Sequence, residues 1–196
     1  MSKLIAITGG IGSGKSIVSK ILIANGYTVY DCDYEAKRIM DIDTNIHSLL
    51  TQHIHSEAVK DGIIDRKLIA SIVFIDNLKL EKLNSIVHQA VRDDIRKCLN
   101  RNTSCNIMFV ETAILYQSNI DLMVDEVWTV TAPRDIRIKR VMRRNNCSWE
   151  DVDARINAQD NYTPLRVHPR VKEIINDDLI PVLPQVIRLL EAATMS

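Results

Sequence analysis

One stretch near the start of the chain constrains the fold more than any other: residues 9–16 read Gly-Gly-Ile-Gly-Ser-Gly-Lys-Ser. This sequence fits Gly-x-x-x-x-Gly-Lys-Ser/Thr, a loop whose backbone N–H groups converge on phosphate oxygens. An apolar run, residues 4–7, precedes it and a helix-like run, residues 17–24, follows it, as the motif requires. A glycine-rich turn that happens to contain Lys-Ser is the plain alternative. The complete pattern in this context favours a nucleoside triphosphate site.

The residues of this loop have separate expected roles. The glycines allow the backbone to curl around a phosphate, and the helix that follows presents its positive end to the same anion. Lys15 is expected to reach the outer phosphates, and the Ser16 hydroxyl to hold Mg2+. ATP and Mg2+ are therefore the expected cofactors. The residues expected to bind the nucleotide are Gly9, Gly10, Ile11, Gly12, Ser13, Gly14, Lys15 and Ser16.

Length and charge limit the remaining possibilities. A chain of 196 residues can bury one core, with room for a lid or a small insertion. Basic and acidic residues number 25 each, so no long-range field attracts nucleic acid or an anionic membrane. The four cysteines show no Cys-x-x-Cys spacing, and no charged-then-apolar leader precedes the first strand. We expect a cytoplasmic protein, monomeric or weakly homo-oligomeric, with a small-molecule substrate and no membrane or nucleic-acid partner.

Two carboxylates follow the second predicted strand, residues 27–30. Because ligands of open α/β sheets lie beyond the carboxyl ends of the strands, Asp31 and Asp33 are expected close to the phosphate-binding loop. Asp33 is predicted to accept the proton of an attacking hydroxyl, and Asp31 to orient that group or to contact Mg2+ through water. The alternative is that Asp33 only caps the helix that begins there.

Apolar residues recur at three- and four-residue spacings from about residue 35 to 101, which predicts several helices over the substrate side of the sheet. Within this segment, the turn at residues 61–66 delivers Asp65 and Arg66 to the start of a helix. An Asp N-cap beside a surface arginine is the alternative explanation of that pattern, and the residues by themselves slightly favour it. His88 lies on an apolar helical stretch, where a core histidine is the usual explanation.

A near-continuous apolar run, residues 106–110, predicts a central strand covered on both faces. It ends at Glu111, a carboxylate positioned to help hold Mg2+ beside the loop. Residues 122–126 imitate this pattern. Their acids, however, precede the strand predicted at residues 127–130, which puts them at the opposite edge of the sheet. We therefore assign the metal-side carboxylate to Glu111.

Arginines dominate the segment after that strand. Arg137, Arg140 and Arg144 share one face of a predicted helix, and the next helix carries Arg155 and Gln159 four residues apart. A solvated basic face is the ordinary explanation. Beside a phosphate-binding loop, however, arginines often close over the transferring phosphoryl group. The two helices are expected to form a lid that excludes water.

At this point the chain resembles the dephospho-coenzyme A kinase family, P-loop enzymes that phosphorylate the ribose 3′-hydroxyl of dephospho-coenzyme A. The resemblance runs nearly end to end. It departs from the family at Gln89, where proline is usual after the histidine, and at Asp178, where glycine is usual. Besides the loop, it rests on Asp31-Cys32-Asp33, Gly62-Ile63-Ile64-Asp65-Arg66, Leu83-Asn84-Ser85-Ile86-Val87-His88, Asp125-Glu126-Val127-Trp128, Arg140-Val141-Met142-Arg143-Arg144 and Arg155-Ile156-Asn157-Ala158-Gln159.

The resemblance implies roles for particular residues. It makes Asp33 the base near the acceptor hydroxyl, places Arg140 in the lid over the ATP phosphates and puts Asn176 near adenine. Lys15, Asp33 and Arg140 are then the expected catalytic residues. Arg144 and Asn176 join the loop in nucleotide binding, and Ser16 and Glu111 serve the metal. The residues expected to bind the acceptor are Asp31, Asp33, Arg66, His88 and Arg155.

The sequence thus predicts a three-layer α/β P-loop NTPase fold with a parallel sheet, a helical substrate-binding cap and a lid. The core is expected at about residues 1–33, 104–133 and 171–196, the cap at about 34–103 and the lid at about 134–170. The predicted activity is ATP-dependent phosphorylation of dephospho-coenzyme A to coenzyme A and ADP. A P-loop kinase for another small acceptor, such as a nucleoside monophosphate, is the alternative. A nucleotide switch is disfavoured because the chain lacks Asn-Lys-x-Asp and Asp-x-x-Gly motifs.

Overall fold

A computed structural model describes residues 2–101 and 106–195. The chain divides into two compact units, one formed by Met1–Tyr30 with Asn102–Ser196 and the other by Asp31–Arg101. In chain order, the elements within the described residues are β1 (Lys3–Thr8), α1 (Lys15–Ala24), β2 (Thr28–Asp31), α2 (Cys32–Ile42), α3 (Thr44–His53), β3 (Val59–Lys60), β4 (Ile63–Ile64), α4 (Arg66–Ile75), α5 (Asn77–Arg101), β5 (Ile107–Glu111), β6 (Glu126–Thr131), α6 (Arg134–Asn145), α7 (Trp149–Asp160), β7 (Val171–Ile175) and α8 (Val182–Met195), with a short 3-10 turn at Ile120–Leu122 between β5 and β6.

The first unit is organised on a five-stranded sheet with the strand order β2-β5-β1-β6-β7. β1 pairs in parallel with β5 and with β6, so that Ile5 lies opposite Phe109 and Ile7 opposite Trp128. β6 in turn pairs in parallel with β7. The near-continuous apolar runs of β1 and β5 are buried, as strands covered on both faces must be. The predicted parallel α/β sheet is confirmed.

The core of this unit lies between the sheet and the pair formed by α1 and α8. Its centre is an aromatic group: the Phe109 ring lies 5.1 Å from that of Trp128 and 5.5 Å, edge to face, from that of Tyr27. Such pairs contribute about 0.5–1.5 kcal/mol beyond the area that they bury. The core holds β1 and β6 in place beneath the phosphate-binding loop. Its buried apolar members are Ile5, Ile7, Val18, Leu22, Ile107, Phe109, Trp128, Val130, Ile174, Val186, Leu190 and Ala193.

The last helix begins later than the sequence suggested. The apolar spacing of residues 179–193 predicts a closing helix over that range, whereas α8 starts at Val182, directly after Pro181. Before it, the Asp177 carboxylate accepts the backbone N–H groups of Leu179 and Ile180, which forms a turn instead of a helical start. Pro184 is tolerated because the first-turn N–H groups of a helix have no intrahelical partner.

The second unit is helical, with α5 packed against α2, α3 and α4. The helices predicted between about residues 35 and 101 are therefore confirmed, with one addition. β3 and β4 form an antiparallel hairpin that turns at Asp61 and Gly62, both with positive φ. Two-residue strands are too short to show an alternating pattern, so the sequence indicated only the turn.

The predicted domain boundary and the predicted roles of the cap and the lid are not tested by the structure. The boundary between cap and core, residues 103 and 104, lies outside the described residues, as does Cys105. The roles of residues 34–103 as a substrate-binding cap and of residues 134–170 as a lid stay predictions.

Among the described helices, none combines the length and apolar character that a bilayer crossing requires.

Candidate active site

The glycine-rich loop connects β1 to α1 as its sequence predicted. Gly14 is the N-cap of α1 in a left-handed conformation, with φ of 98°. The loop folds on itself, since the Ser13 N–H donates to the Gly10 carbonyl at 3.1 Å. The first turn of α1 contains no acidic residue that would neutralise the positive end of the helix. The loop therefore has the shape and the electrostatics of an anion site.

Gly14 is expected to tolerate no side chain. A Cβ there would lie 2.0 Å from the Asn176 Nδ2, in addition to the strain of a positive φ. Gly14→Ala should therefore weaken nucleotide binding and lower the free energy of unfolding by more than the roughly 1–2 kcal/mol that left-handed backbone costs an L-residue. Thermal denaturation and titration with an ATP analogue measure the two effects.

Gly26→Ala is the matched control for that prediction. Gly26 has a similar φ of 85°, but a Cβ there would meet no atom within 4 Å. This variant should carry the backbone strain alone and bind the nucleotide like the native protein. Equal affinity losses in the two variants would contradict the proposed clash at Asn176.

Lys15 and Ser13 supply polar groups at the loop itself. The Lys15 Nζ donates to the carbonyl oxygen of Gly9 at 2.8 Å and to that of Gly10 at 3.3 Å. The Ser13 Oγ is buried and has no hydrogen-bond partner among the described residues. Because a buried hydroxyl without a partner is costly, this atom suits a site that receives a polar ligand. The loop thus fits a phosphate group on two independent observations, its helix end and its unpaired hydroxyl.

Three side chains, two from α6 and one from the segment after β7, hold the carbonyl side of the loop. Arg137 Nε donates to the Ile11 carbonyl at 3.0 Å, and Arg140 Nη1 lies 3.4 Å from the Ser13 carbonyl. Asn176, which follows β7, donates from Nδ2 to the same Ser13 oxygen at 2.7 Å. Donors that fix these carbonyls on one side of the loop help to keep its N–H groups directed to the other side.

Arg140 and Asn176 also hold each other. The Arg140 Nη2 contacts the Asn176 backbone oxygen at 3.0 Å and its Oδ1 at 3.1 Å, and it forms an ion pair with Asp178. Both heteroatoms of the buried Asn176 amide are therefore engaged, and its predicted contact with adenine stays a prediction. Asp178 has a φ of 65°, a left-handed conformation that glycine adopts more readily than an L-residue.

Glu111 lies at the carboxyl end of β5, as predicted. Its Oε2 accepts a hydrogen bond of 2.6 Å from Ser19 Oγ, one turn after Ser16 in α1. Carboxylate and hydroxyl oxygens are the ligand types that Mg2+ prefers. The described residues contain no group of three or more acidic, histidine or cysteine side chains that could hold a metal. Mg2+ commonly uses one or two protein ligands together with substrate phosphates and water, and the carboxylate and hydroxyl oxygens at the end of β5 are of that type.

The arginine helices bring some predicted residues to the loop and leave others away from it. Arg144 is exposed and donates to the neighbouring Asn145 side chain, and Arg155 is exposed on α7. Within the described residues, neither donates to the loop. Arg137 and Gln159 do reach it; the sequence placed both on the predicted lid helices but gave neither a binding or catalytic role. The one-turn spacing of Arg137 and Arg140 was the available signal, but which side chain faces the loop depends on how the helices pack.

The two carboxylates after β2 have different structural roles. Asp31 is the N-cap of α2, since its Oδ1 accepts the backbone N–H groups of Asp33 and Tyr34, both at 3.0 Å. The alternative that Asp33 is the cap is therefore wrong. Asp33 lies exposed in the first helical turn, where its side chain is not used to complete the helix.

Asp65 is likewise a helix cap, because it accepts the Leu68 N–H at 2.9 Å at the start of α4. The N-cap explanation is thus confirmed for this residue. Arg66 pairs with Asp41 at 2.6 Å, and both side chains are about half exposed. An exposed pair of this kind contributes about 0–1 kcal/mol, so Arg66 can exchange its partner at little cost.

His88 lies half-buried on α5, where burial and then the positive charge of Arg92 lower its pKa below the usual range. The folded state therefore binds fewer protons at this site than the unfolded state does. The contribution of His88 to the free energy of unfolding should fall as the pH drops through about 6.5, the ordinary value. We expect native protein to lose more stability than His88→Gln between about pH 8 and pH 5.5 in urea unfolding. A constant difference between the two proteins across that range would contradict this account.

Comparison with known protein families agrees with the family that the motifs indicate. A family model described as dephospho-CoA kinase matches residues 3–179. The dephospho-CoA kinase of Porphyromonas gingivalis is 35% identical over 187 residues, which is 95% of this chain and 92% of that protein. The dephospho-CoA kinase of Bacteroides fragilis is 33% identical over 190 residues, 97% of this chain and 92% of that protein.

Solved structures agree on the fold. A crystal structure of a Thermus thermophilus protein superposes with a TM-score of 0.77 at 32% identity, covering 99% of this chain and 97% of that one. Dephospho-CoA kinase from Campylobacter jejuni superposes with a TM-score of 0.67 at 21% identity, covering 97% and 96% of the two chains, and so supports the fold alone. The predicted α/β P-loop NTPase fold is confirmed.

Proposed function

The chain belongs to the dephospho-CoA kinase family, and on that premise we propose that it transfers the γ-phosphoryl group of ATP to the ribose 3′-hydroxyl of dephospho-coenzyme A. The products would be coenzyme A and ADP, in the last step of coenzyme A biosynthesis. The observation that carries the proposal is the loop between β1 and α1, within a family match over residues 3–179. None of the relatives reported above is a nucleoside monophosphate kinase.

Asp33 is proposed as the catalytic base. Its support is an exposed carboxylate in the first turn of α2, where Asp31 performs the capping and Asp33 does not. Asp33 would accept the proton of the 3′-hydroxyl as the hydroxyl oxygen attacks the γ-phosphorus, and the bond to the bridging oxygen of ADP would break. A positioned carboxylate base typically contributes about 10² to 10⁴ in rate.

Lys15 and Arg140 are proposed to neutralise the charge of the transferring group. For Lys15, the change needed is small, because Nζ would exchange the carbonyls of Gly9 and Gly10 for phosphate oxygens. Arg140 would exchange Asp178, an exposed partner, while its contacts to Asn176 hold the rest of the guanidinium. Both side chains already contact carbonyl oxygens of the loop, so each would need only a small movement to reach a bound phosphate.

Ser16 and Glu111 are proposed to serve Mg2+ together with the nucleotide phosphates. The metal would supply charge neutralisation at the β- and γ-phosphate oxygens. The protein's contribution is to orient its own oxygens. Ser19 holds the Glu111 carboxylate through its 2.6 Å hydrogen bond, and the exposed Ser16 hydroxyl lies in the first turn of α1.

The remaining predicted residues complete the proposed binding surfaces. Arg144 is proposed to bind the nucleotide from a lid formed by residues 134–170. Asn176 is proposed to bind it from its position beside the loop. The helical segment 34–103 is proposed as the acceptor cap. We also propose that the protein works in the cytoplasm. It would be a monomer or weak homo-oligomer, and size-exclusion chromatography with light scattering would measure that oligomeric state. The residues proposed to contact the acceptor besides Asp33 are Asp31, Arg66, His88 and Arg155.

The direct test is product analysis by mass spectrometry. The protein is incubated with ATP, Mg2+ and, in parallel, dephospho-coenzyme A or each member of a panel of nucleoside monophosphates. We expect one added phosphate on dephospho-coenzyme A and none on the other acceptors. Turnover on a monophosphate alone, or ATP hydrolysis that needs no acceptor, would refute the proposed substrate and leave only the nucleotide site.

A further inference from the structure

The tip of the phosphate-binding loop is attached to the arginine helices through Ile11. Its side chain packs against the apolar core between α6 and α7, which consists of the buried residues Ile138, Val141, Val152 and Ile156. An apolar residue at the tip of a glycine-rich loop would otherwise lie in solvent. The loop therefore does not take its position from β1 and α1 alone.

The backbone N–H and carbonyl of Ile11 each form a hydrogen bond to one of these two helices. Its N–H donates to Gln159 Oε1 on α7 at 2.7 Å, and its carbonyl accepts from Arg137 Nε on α6 at 3.0 Å. Arg137 in turn lies 3.3 Å from the Asp160 carboxylate, next to Gln159 in α7. The Ile11 backbone is thus held on both sides, at its N–H and at its carbonyl, by side chains to which the catalytic proposal gives no role.

Gln159 also reaches a third segment. Its Nε2 donates at 3.1 Å to the backbone oxygen of Ala113, two residues after the end of β5. The side chain therefore links the loop tip, through Ile11, to the segment that follows Glu111. The neutral amide accepts from one backbone group and donates to the other, whereas a glutamate lacks the donor, a methionine lacks both groups and an asparagine is shorter by one methylene.

We propose that Gln159 is a positioning residue that couples the tip of the phosphate-binding loop to the segment after β5, and thereby sets the loop's affinity for the nucleotide. This inference rests on the proposed kinase function but concerns a residue to which that proposal assigns no contact with a substrate. Loss of the amide would leave the Ile11 N–H and the Ala113 carbonyl without their partners. The tip would then no longer be held in the shape that receives phosphate.

The test is equilibrium titration of a non-hydrolysable ATP analogue with Mg2+ and without an acceptor, on native protein, Gln159→Met and Gln159→Glu. Methionine keeps the length and apolar body of the side chain but removes both hydrogen bonds. It should raise the dissociation constant about 5- to 100-fold, the range expected when a partly buried backbone group loses its partner. Glutamate keeps the acceptor for Ile11, loses the donor to Ala113 and adds a negative charge near the phosphates, so affinity should also fall, and more at low salt.

Gln185→Met is the matched control. Gln185 makes the same kind of paired bonds, accepting from the Ile175 N–H at 2.9 Å and donating to its carbonyl at 2.8 Å, beside β7. It should lower the melting temperature and leave the dissociation constant unchanged. Backbone hydrogen exchange adds a second measure: the Ile11 amide should exchange faster in Gln159→Met than in native protein, and at the native rate in Gln185→Met.

The outcomes decide between coupling and simple stabilisation. If Gln159→Met loses stability as Gln185→Met does but binds the analogue within about twofold of native protein, the proposal is wrong. If Gln159→Met does not fold, Gln159→Glu is titrated at high salt, where the added charge is screened; affinity within about twofold of native protein there would likewise show that the proposal is wrong. Analogue binding needs no acceptor, so a failure of phosphoryl transfer to dephospho-coenzyme A would overturn the proposed function without affecting this result.

Discussion

Asp33→Asn is expected to lower the turnover of dephospho-coenzyme A by about 10² to 10⁴, because the amide cannot accept the hydroxyl proton. The loss should appear in kcat, with KM for ATP nearly unchanged, since the substitution removes a group that acts in the transition state. Stability should change little. Asp31 remains the cap of α2, and loss of the first-turn charge of Asp33 costs only about 0.3–1 kcal/mol.

Asp135→Asn provides the matched control for that experiment. Asp135 is also an exposed acid in the first turn of a helix, here α6, and it pairs with Lys139 at 3.7 Å. It should reproduce the small loss of stability and keep native turnover. Turnover of Asp33→Asn within about tenfold of native protein would remove Asp33 from the role of base.

Lys15→Ala is the second variant with a large expected effect. It removes the charge that we propose meets the outer phosphates, and loss of one such electrostatic group costs about 10² to 10³ in kcat. ATP affinity should fall as well, because bonds to charged groups contribute about 1.5–3 kcal/mol. Steady-state kinetics in ATP and titration of an ATP analogue separate the two losses.

Lys20→Ala controls for the removal of a lysine from the same helix. Lys20 is exposed on α1, one turn beyond Ser16. It should leave kcat and the dissociation constant of the analogue unchanged. If the two variants show similar kinetics, the Lys15 ammonium acts only on the loop carbonyls that it now contacts, and the proposed phosphate contact is wrong.

Much of this protein was predictable from local pattern. The motif at residues 9–16 works through backbone geometry, which requires a strand before the loop and a helix after it. The structure has both, β1 before the loop and α1 after it. The sheet followed from apolar runs such as β5, and the arginine helices from their spacing. Helix caps were less certain. Asp31 and Asp33 both suit an N-cap by residue type, and only the backbone dihedral angles and hydrogen bonds select Asp31.

The sequence by itself determined the nucleotide loop, the helical and strand segments and the kinase family, because these depend on residues that are neighbours along the chain. The tertiary structure alone decided which distant side chains hold the loop. Gln159 lies 148 residues from Ile11, and Asn176 lies 163 from Ser13. Contacts over such separations carry no periodic signal. They depend on how helices and strands pack, so the supports of the loop tip became visible only once α6, α7 and β7 were in place.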